Sequence, residues 1–128
     1  MKKKIAAVVL SALTVGMLAG APAALAKDGD VIERGPCSGS SDWKLKLSPE
    51  NGRLEVEFEV DQNVTGDDWR VRIRHQDELV FRGTRTTKGT SGSFTVRIVE
   101  DNLAGTDRFS ARARNVSTDE VCRGTASF

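Results

Sequence analysis

Apolar and charged residues alternate one for one through most of this chain. Trp43, Leu45 and Leu47 are separated by Lys44 and Lys46, and Leu54, Val56, Phe58 and Val60 by Glu55, Glu57 and Glu59. Trp69, Val71 and Ile73 are separated by Arg70 and Arg72, and Phe94, Val96 and Ile98 by Thr95 and Arg97. Phe109, Ala111 and Ala113 then alternate with Arg108, Ser110, Arg112 and Arg114, and Cys122, Gly124 and Ala126 fall on one side of a last strand. A period of two belongs to a strand with one buried face; an amphipathic helix would repeat every three to four residues. With a weaker strand over Leu79–Thr86, the pattern predicts seven strands, punctuated by turn residues at Ser48–Gly52, Gln76–Glu78, Lys88–Gly92, Asp101–Thr106 and Asn115–Asp119. A single sheet of such strands would leave its apolar face wet, whereas two sheets packed face to face bury both. The expected fold is therefore an all-β, two-sheet β-sandwich.

Charge sets the expected pairing. With Leu47 opposite Leu54, Lys46 faces Glu55 and Lys44 faces Glu57, and Trp43 meets Phe58 inside. The second and third strands admit two arrangements. A hairpin would set Glu59, Glu57 and Glu55 against Arg70, Arg72 and Arg74. A crossing between sheets would use the Asp61–Asp68 connection, whose length suits crossing better than a tight hairpin.

Residues 1–26 read as a secretory signal. Lys2, Lys3 and Lys4 precede an apolar run from Ile5 to Leu18, helix breakers stand at Gly20 and Pro22, and Ala24-Leu25-Ala26 is a small-x-small cleavage site. The alternative is an uncleaved membrane anchor. Cleavage changes the charge balance: the full chain of 128 residues has a net +1, while residues 27–128 hold 16 basic and 18 acidic residues, a net −2. A polar lead, 27–41, then precedes the sandwich at 42–128. Export would place Cys37 and Cys122 in an oxidising compartment, where one disulfide enclosing nearly the whole domain is the simplest outcome and two free thiols the other. In the chain-entropy model a loop of this length contributes about 4–5 kcal/mol, less any native strain. The expected location is extracellular, with no membrane association after cleavage, either free or held at the cell wall.

The run of strands resembles an immunoglobulin-like sandwich, with Trp69 in the place of that fold's core Trp. Asp107-Arg108-Phe109-Ser110-Ala111-Arg112-Ala113 resembles its sixth strand, although Phe109, Ala111 and Ala113 stand where the family has a small residue, a Tyr and a Cys. The Trp-x-Leu start, Glu55-Val56-Glu57-Phe58-Glu59-Val60 and the Asp-x-x-x-Ala-x-Ala-x-Asn segment (107–115) before the last Cys are also similar to small exported β proteins of actinobacteria. That resemblance implies a fold and export, and no catalytic residues or cofactor.

Each candidate site has a plain structural alternative. His75 is the one His and would have to serve any Ser-His-Asp centre; otherwise it is a partly covered strand-end residue. Glu55, Glu57 and Glu59 supply a carboxylate row that a glycosidase could use, or a solvated face paired with Lys. Asp61-Gln62-Asn63-Val64-Thr65-Gly66 begins like a calcium loop, but Arg72 occupies the twelfth position where a bidentate Glu is required, so an Asx-type turn is the alternative. No catalytic residue, metal or cofactor is assigned. The sharpest candidate is a basic wall. If the third, sixth and seventh strands share a sheet, Arg70, Arg72, Arg74, Arg108, Arg112, Arg114 and Arg123 project from its outer face. Such a wall suits an anionic cell-wall polymer or an acidic patch on an extracellular protein. It has no interleaved aromatics for base stacking, which argues against nucleic acid. The plain alternative is a solubilising face that also blunts strand edges. A second functional class is a secreted inhibitor presenting Asp61–Asp68 or Lys88–Gly92 to an extracellular hydrolase, since Asp68-Trp69-Arg70 resembles the Trp-Arg motif of small bacterial amylase inhibitors.

Overall fold

A computed structural model describes residues 29–128. The signal read at 1–26 lies outside the described residues. The described residues form eight strands: β1 (Val31–Pro36), β2 (Asp42–Glu50), β3 (Arg53–Asp61), β4 (Asp68–His75), β5 (Glu78–Thr86), β6 (Ser93–Asp101), β7 (Arg108–Asn115) and β8 (Val121–Ser127). They make two four-stranded antiparallel sheets, in the orders β1-β2-β3-β6 and β5-β4-β7-β8. The protein is an all-β, two-sheet sandwich, and the Asp61–Asp68 connection carries the chain from the first sheet to the second.

Between the sheets lies one apolar cluster. Leu45, Leu47, Leu54, Val56, Phe58, Val60, Phe94 and Val96 come from the first sheet, and Trp69, Val71, Ile73, Phe109, Ala111, Ala113, Cys122 and Ala126 from the second. Large side chains of one sheet thus meet small ones on β7 and β8. Trp69 is the largest fully buried residue, and its ring tilts 52° to that of Phe94 at 6.2 Å.

Two expectations need correction. The seven strands are eight, because residues 31–36 of the lead pair with β2 from Val31↔Leu47 to Pro36↔Asp42. This strand has no alternation to betray it: Ile32 is 44% exposed, and only Val31 and Gly35 turn inward. As an edge strand it tolerates the terminal Pro36, which cannot donate to a ladder. The first hairpin is also shifted by two residues. Leu47 faces Val56, Lys46 faces Glu57, Lys44 faces Glu59, and Trp43 faces Val60. Pro49 does not end the strand. It lies past the end of β1, where β2 is locally an edge, and the chain turns only at Asn51-Gly52, whose φ values of 52° and 80° suit a type I′ turn. A shift of two preserves parity, so the inward set and the opposite-charge pairing both survive.

The sandwich is closed along one side by a disulfide and a ring. Cys37 and Cys122 are bonded, joining the end of β1 to β8 across 85 residues. This bond points to an oxidising setting, and no helix among the described residues is long and apolar enough to cross a membrane. Beside it the Trp43 indole lies between Gly35 and Gly124. A Cβ placed on Gly35 would come within 2.8 Å of the ring and one on Gly124 within 2.5 Å. Glu120 completes the clasp, its carboxylate accepting from the backbone N–H groups of Gly39 and Ser41 and from the Ser41 hydroxyl, at 3.0, 2.8 and 2.9 Å.

Gly124→Ala therefore forces Trp43 outward. The expected cost, typical of overpacking a filled site, is about 1–3 kcal/mol. Urea unfolding should show a lower midpoint, with a red shift of native tryptophan emission as one indole meets water.

Candidate functional site

The same alternation that buries Trp69, Val71 and Ile73 sends Arg70, Arg72 and Arg74 to the outer face of the second sheet. Register then aligns them with other arginines. Arg72 is the direct cross-strand partner of Arg82 on β5 and of Arg112 on β7, and Arg112 is the partner of Arg123 on β8. Four arginines thus form a row crossing all four strands. A second row pairs Arg70 with Arg114 and with Thr84. In a third, Arg74 lies beside Ser110, which lies beside Thr125. Arg108 shares the face but stands at its far end, opposite Ser127.

The residues proposed from sequence are thus on one sheet, and Arg82 joins them. The sequence signal for Arg82 was masked because Gly83 and the bulge between Ile73 and Arg74 interrupt the alternation of β5. Two members have local partners: Arg114 donates to Asp119 at 2.6 Å, and Arg74 to the Asp77 carbonyl at 3.2 Å. Among the described residues, Arg70, Arg72, Arg82, Arg112 and Arg123 have no acidic partner within ion-pair distance. Two shallow depressions flank the row. One of about 510 Å³ is bordered by Arg70, Thr84 and Arg114, and one of about 290 Å³ by Arg74, Ser110 and Thr125. Burial pulls the Arg112 pKa below its ordinary value, and the charges of Arg123, Arg72 and Arg114 add to that.

The first sheet is the opposite case. Its outer face carries both signs, and they meet. Arg97 donates to Glu57 at 2.7 Å and lies 3.2 Å from Glu55, and Lys44 lies 3.8 Å from Glu59. The hydrogen bond from Arg97 lowers the Glu57 pKa, with burial opposing it and the Arg97, Lys46 and Lys44 charges assisting. The Glu55, Glu57 and Glu59 row is therefore held by cations.

His75 is buried at one end of the sandwich. Its Nε2 lies 2.7 Å from Asp107 Oδ1, its Nδ1 lies 3.1 Å from Glu100 Oε1, and its ring stacks on Phe109 at 4.2 Å. Both ring nitrogens face carboxylates, and the cluster ties β4, β6 and the start of β7 together. Sequence does not mark Asp107 and Glu100 as partners of His75, because nothing local points to a partner 25 or 32 residues away.

At the opposite end the Asp61–Asp68 connection is braced. Trp69 Nε1 donates to Gln62 at 3.0 Å, and Gln62 and Asn115 both donate to Asp67 Oδ2, at 2.7 and 3.0 Å. The Asp67 carboxylate thus receives amide donors. Among the described residues no group of three or more His, Cys, Asp or Glu is placed to hold a metal. The loop also docks on Lys88–Gly92, with Gln62 N–H donating to the Gly92 carbonyl and the Thr65 hydroxyl to the Gly89 carbonyl.

Compared with known proteins, the chain matches no family model, no curated protein and no solved structure.

Two predictions follow from these charges. The hydrogen bonds from Gln62 and Asn115 lower the Asp67 pKa below its ordinary 3.8. The stability it contributes is complete above that value and is lost as pH falls toward the folded-state value. Asp67→Asn should flatten the acid limb of stability against pH, measured by urea unfolding below pH 5. In the Arg row, like charges stand directly opposite one another, at a cost of about 0.2–1 kcal/mol per pair. Arg112→Met keeps the apolar stem and removes the repulsion. The variant should unfold at a urea midpoint no lower than the parent's at low salt, and added NaCl should stabilise it less.

Proposed function

We propose that this protein is an exported binding module, immunoglobulin-like in strand order, that engages an anionic partner through the arginine face of its second sheet. The carrying observation is the contrast between the two outer faces. Both are densely charged, but the first neutralises itself with ion pairs, whereas on the second Arg114 pairs with Asp119 and Arg70, Arg72, Arg82, Arg112 and Arg123 have no acidic partner among the described residues. Hydrophobic register explains why arginines project outward. It does not explain why every charged position of the central row is positive, since Glu or Lys-Glu alternation would be equally soluble and free of repulsion. An anionic ligand supplies the missing counter-charge. It could be a cell-wall polymer or an acidic patch of an extracellular protein. The strand orders support the immunoglobulin-like reading, and the disulfide supports export.

Retention of the protein on an immobilised anionic wall polymer should be strong at low salt and fall steeply as salt rises. If four charges are neutralised, the logarithmic slope should be about −3, as for flexible single-stranded polyanions. Arg72→Glu/Arg112→Glu should abolish retention while the fold persists. Absence of retention at low salt, or unchanged retention in the double variant, would overturn the proposal.

A second reading rests on a separate observation. The Asp61–Asp68 and Lys88–Gly92 loops are cross-braced by hydrogen bonds, with Val64 half exposed between them. A loop held rigid before binding is what a secreted hydrolase inhibitor uses, because little ordering entropy remains to be lost. Stoichiometric inhibition in a panel of proteases and amylases would favour it over the arginine face.

A further inference from the structure

We propose that the occupant of the arginine face is a linear phosphate polymer, and that it lies across the strands along Arg82–Arg72–Arg112–Arg123 rather than parallel to them. This rests on the reading of that face as an anion-binding surface and specifies both the ligand and its direction.

The chemical class follows from the donor inventory. Toward solvent the three rows present guanidinium groups and the hydroxyls of Thr84, Ser110 and Thr125, with half-buried Leu79 beside Arg74 and Val121 beside Arg114 at the margins. Asp68, at one corner, is occupied by the Thr86 hydroxyl at 2.6 Å. The polar groups of the face are therefore dominated by donors. Guanidinium groups only donate, so a peptide's backbone N–H groups or a neutral glycan's hydroxyl protons would find acceptors only at those three hydroxyls. A phosphate chain is an acceptor along its whole length. The basic residues of the rows are all arginine, while Lys44 and Lys46 lie on the other sheet. The guanidinium fork matches two phosphate oxygens at once, which an ammonium does not. Among the described residues the face also has no exposed aromatic ring on which bases could stack.

The direction follows from spacing and pairing. Neighbouring strands are about 4.8 Å apart, so the four-arginine row is about 14 Å long. Along β4 the arginines are also close, but Arg74 is drawn to the Asp77 carbonyl, and beside Arg70 the Arg114 guanidinium is taken by Asp119. The transverse row has no such internal partners among the described residues. Arg72 and Arg112, at its centre, are half-buried beneath the flanking side chains, and Arg82 and Arg123, at its ends, are exposed. The two depressions run along either side of the row, giving the polymer's remaining oxygens access to Thr84 on one side and to Ser110 and Thr125 on the other.

The test is a binding series with inorganic phosphate, pyrophosphate, tripolyphosphate and long-chain polyphosphate at fixed ionic strength, alongside polyglutamate of matched charge. Affinity should climb with phosphate chain length until the row is spanned, and polyglutamate should bind more weakly than polyphosphate. Arg82→Gln and Arg123→Gln, at the two exposed ends of the row, should each weaken long-chain binding by about three- to tenfold, as expected for loss of one solvent-exposed contact of ordinary hydrogen-bond strength. Arg70→Gln and Arg74→Gln, along β4, should change it less. All four positions are on the surface, and the urea midpoint of each variant checks that the fold is intact. Equal losses in the two pairs of variants would overturn the transverse direction while leaving the arginine face as the binding surface. Equal or tighter binding of polyglutamate would overturn the phosphate assignment. Binding that does not weaken when the long-chain polyphosphate measurement is repeated at higher ionic strength, or no binding to any of these polyanions, would overturn the underlying reading as well.

Discussion

The arginine face depends on a contest that hydrophobic burial wins. Trp69, Val71, Ile73, Ala111 and Ala113 must point inward together, and on a strand that forces their neighbours outward together. Each large apolar side chain so buried is worth about 1.5–3 kcal/mol. Each like-charge pair that results, Arg72 with Arg82, Arg72 with Arg112 and Arg112 with Arg123, costs about 0.2–1 kcal/mol. A slip of one residue would relieve the repulsion by burying the arginines, which is far more costly. The sheet therefore holds its cations together without any need for counter-charge, and the repulsion remains available to be relieved by a ligand.

A surface of this kind is useful only if it stays in shape. The small side chains on β7 and β8 let the sheets approach, and Gly124 leaves the space that the Trp43 ring fills. The disulfide and the Glu120 clasp then fix β8, which carries Arg123, to the strand that opens the other sheet. At the two ends, the His75–Asp107–Glu100 and Gln62–Asp67–Asn115 clusters anchor the loops that enter and leave β4 and β7. The residues beneath the arginine row are thus held from the core, from one edge and from both ends.

Much of this was legible because parity is local. Alternation turned Arg70, Arg72, Arg74, Arg108, Arg112, Arg114 and Arg123 outward, an immunoglobulin-like strand order gathered them on one face, and the length of the Asp61–Asp68 link indicated the crossing between sheets. What escaped was set by tertiary context. β1 is a strand because β2 offers it a ladder, and residues 31–36 carry no period of two. Pro49 reads as a turn residue until the end of β1 makes β2 an edge there. Arg82 belongs to the row only through a register that a bulge disturbs, and the partners of His75 lie far along the chain. Sequence showed which way a side chain faces, whereas who stands beside it required the strand order and register.

On the proposed reading the outer face of the β5-β4-β7-β8 sheet, and not the self-paired charged face opposite, meets the anionic partner. The most direct measurement is the NMR titration of arginine Nε–Hε resonances with long-chain polyphosphate in the intact protein. Shifts should concentrate at Arg72, Arg82, Arg112 and Arg123, with Arg97, held by Glu57 on the other sheet, unmoved. Shifts spread evenly over both faces, or centred on Arg97 and Arg53, would contradict it.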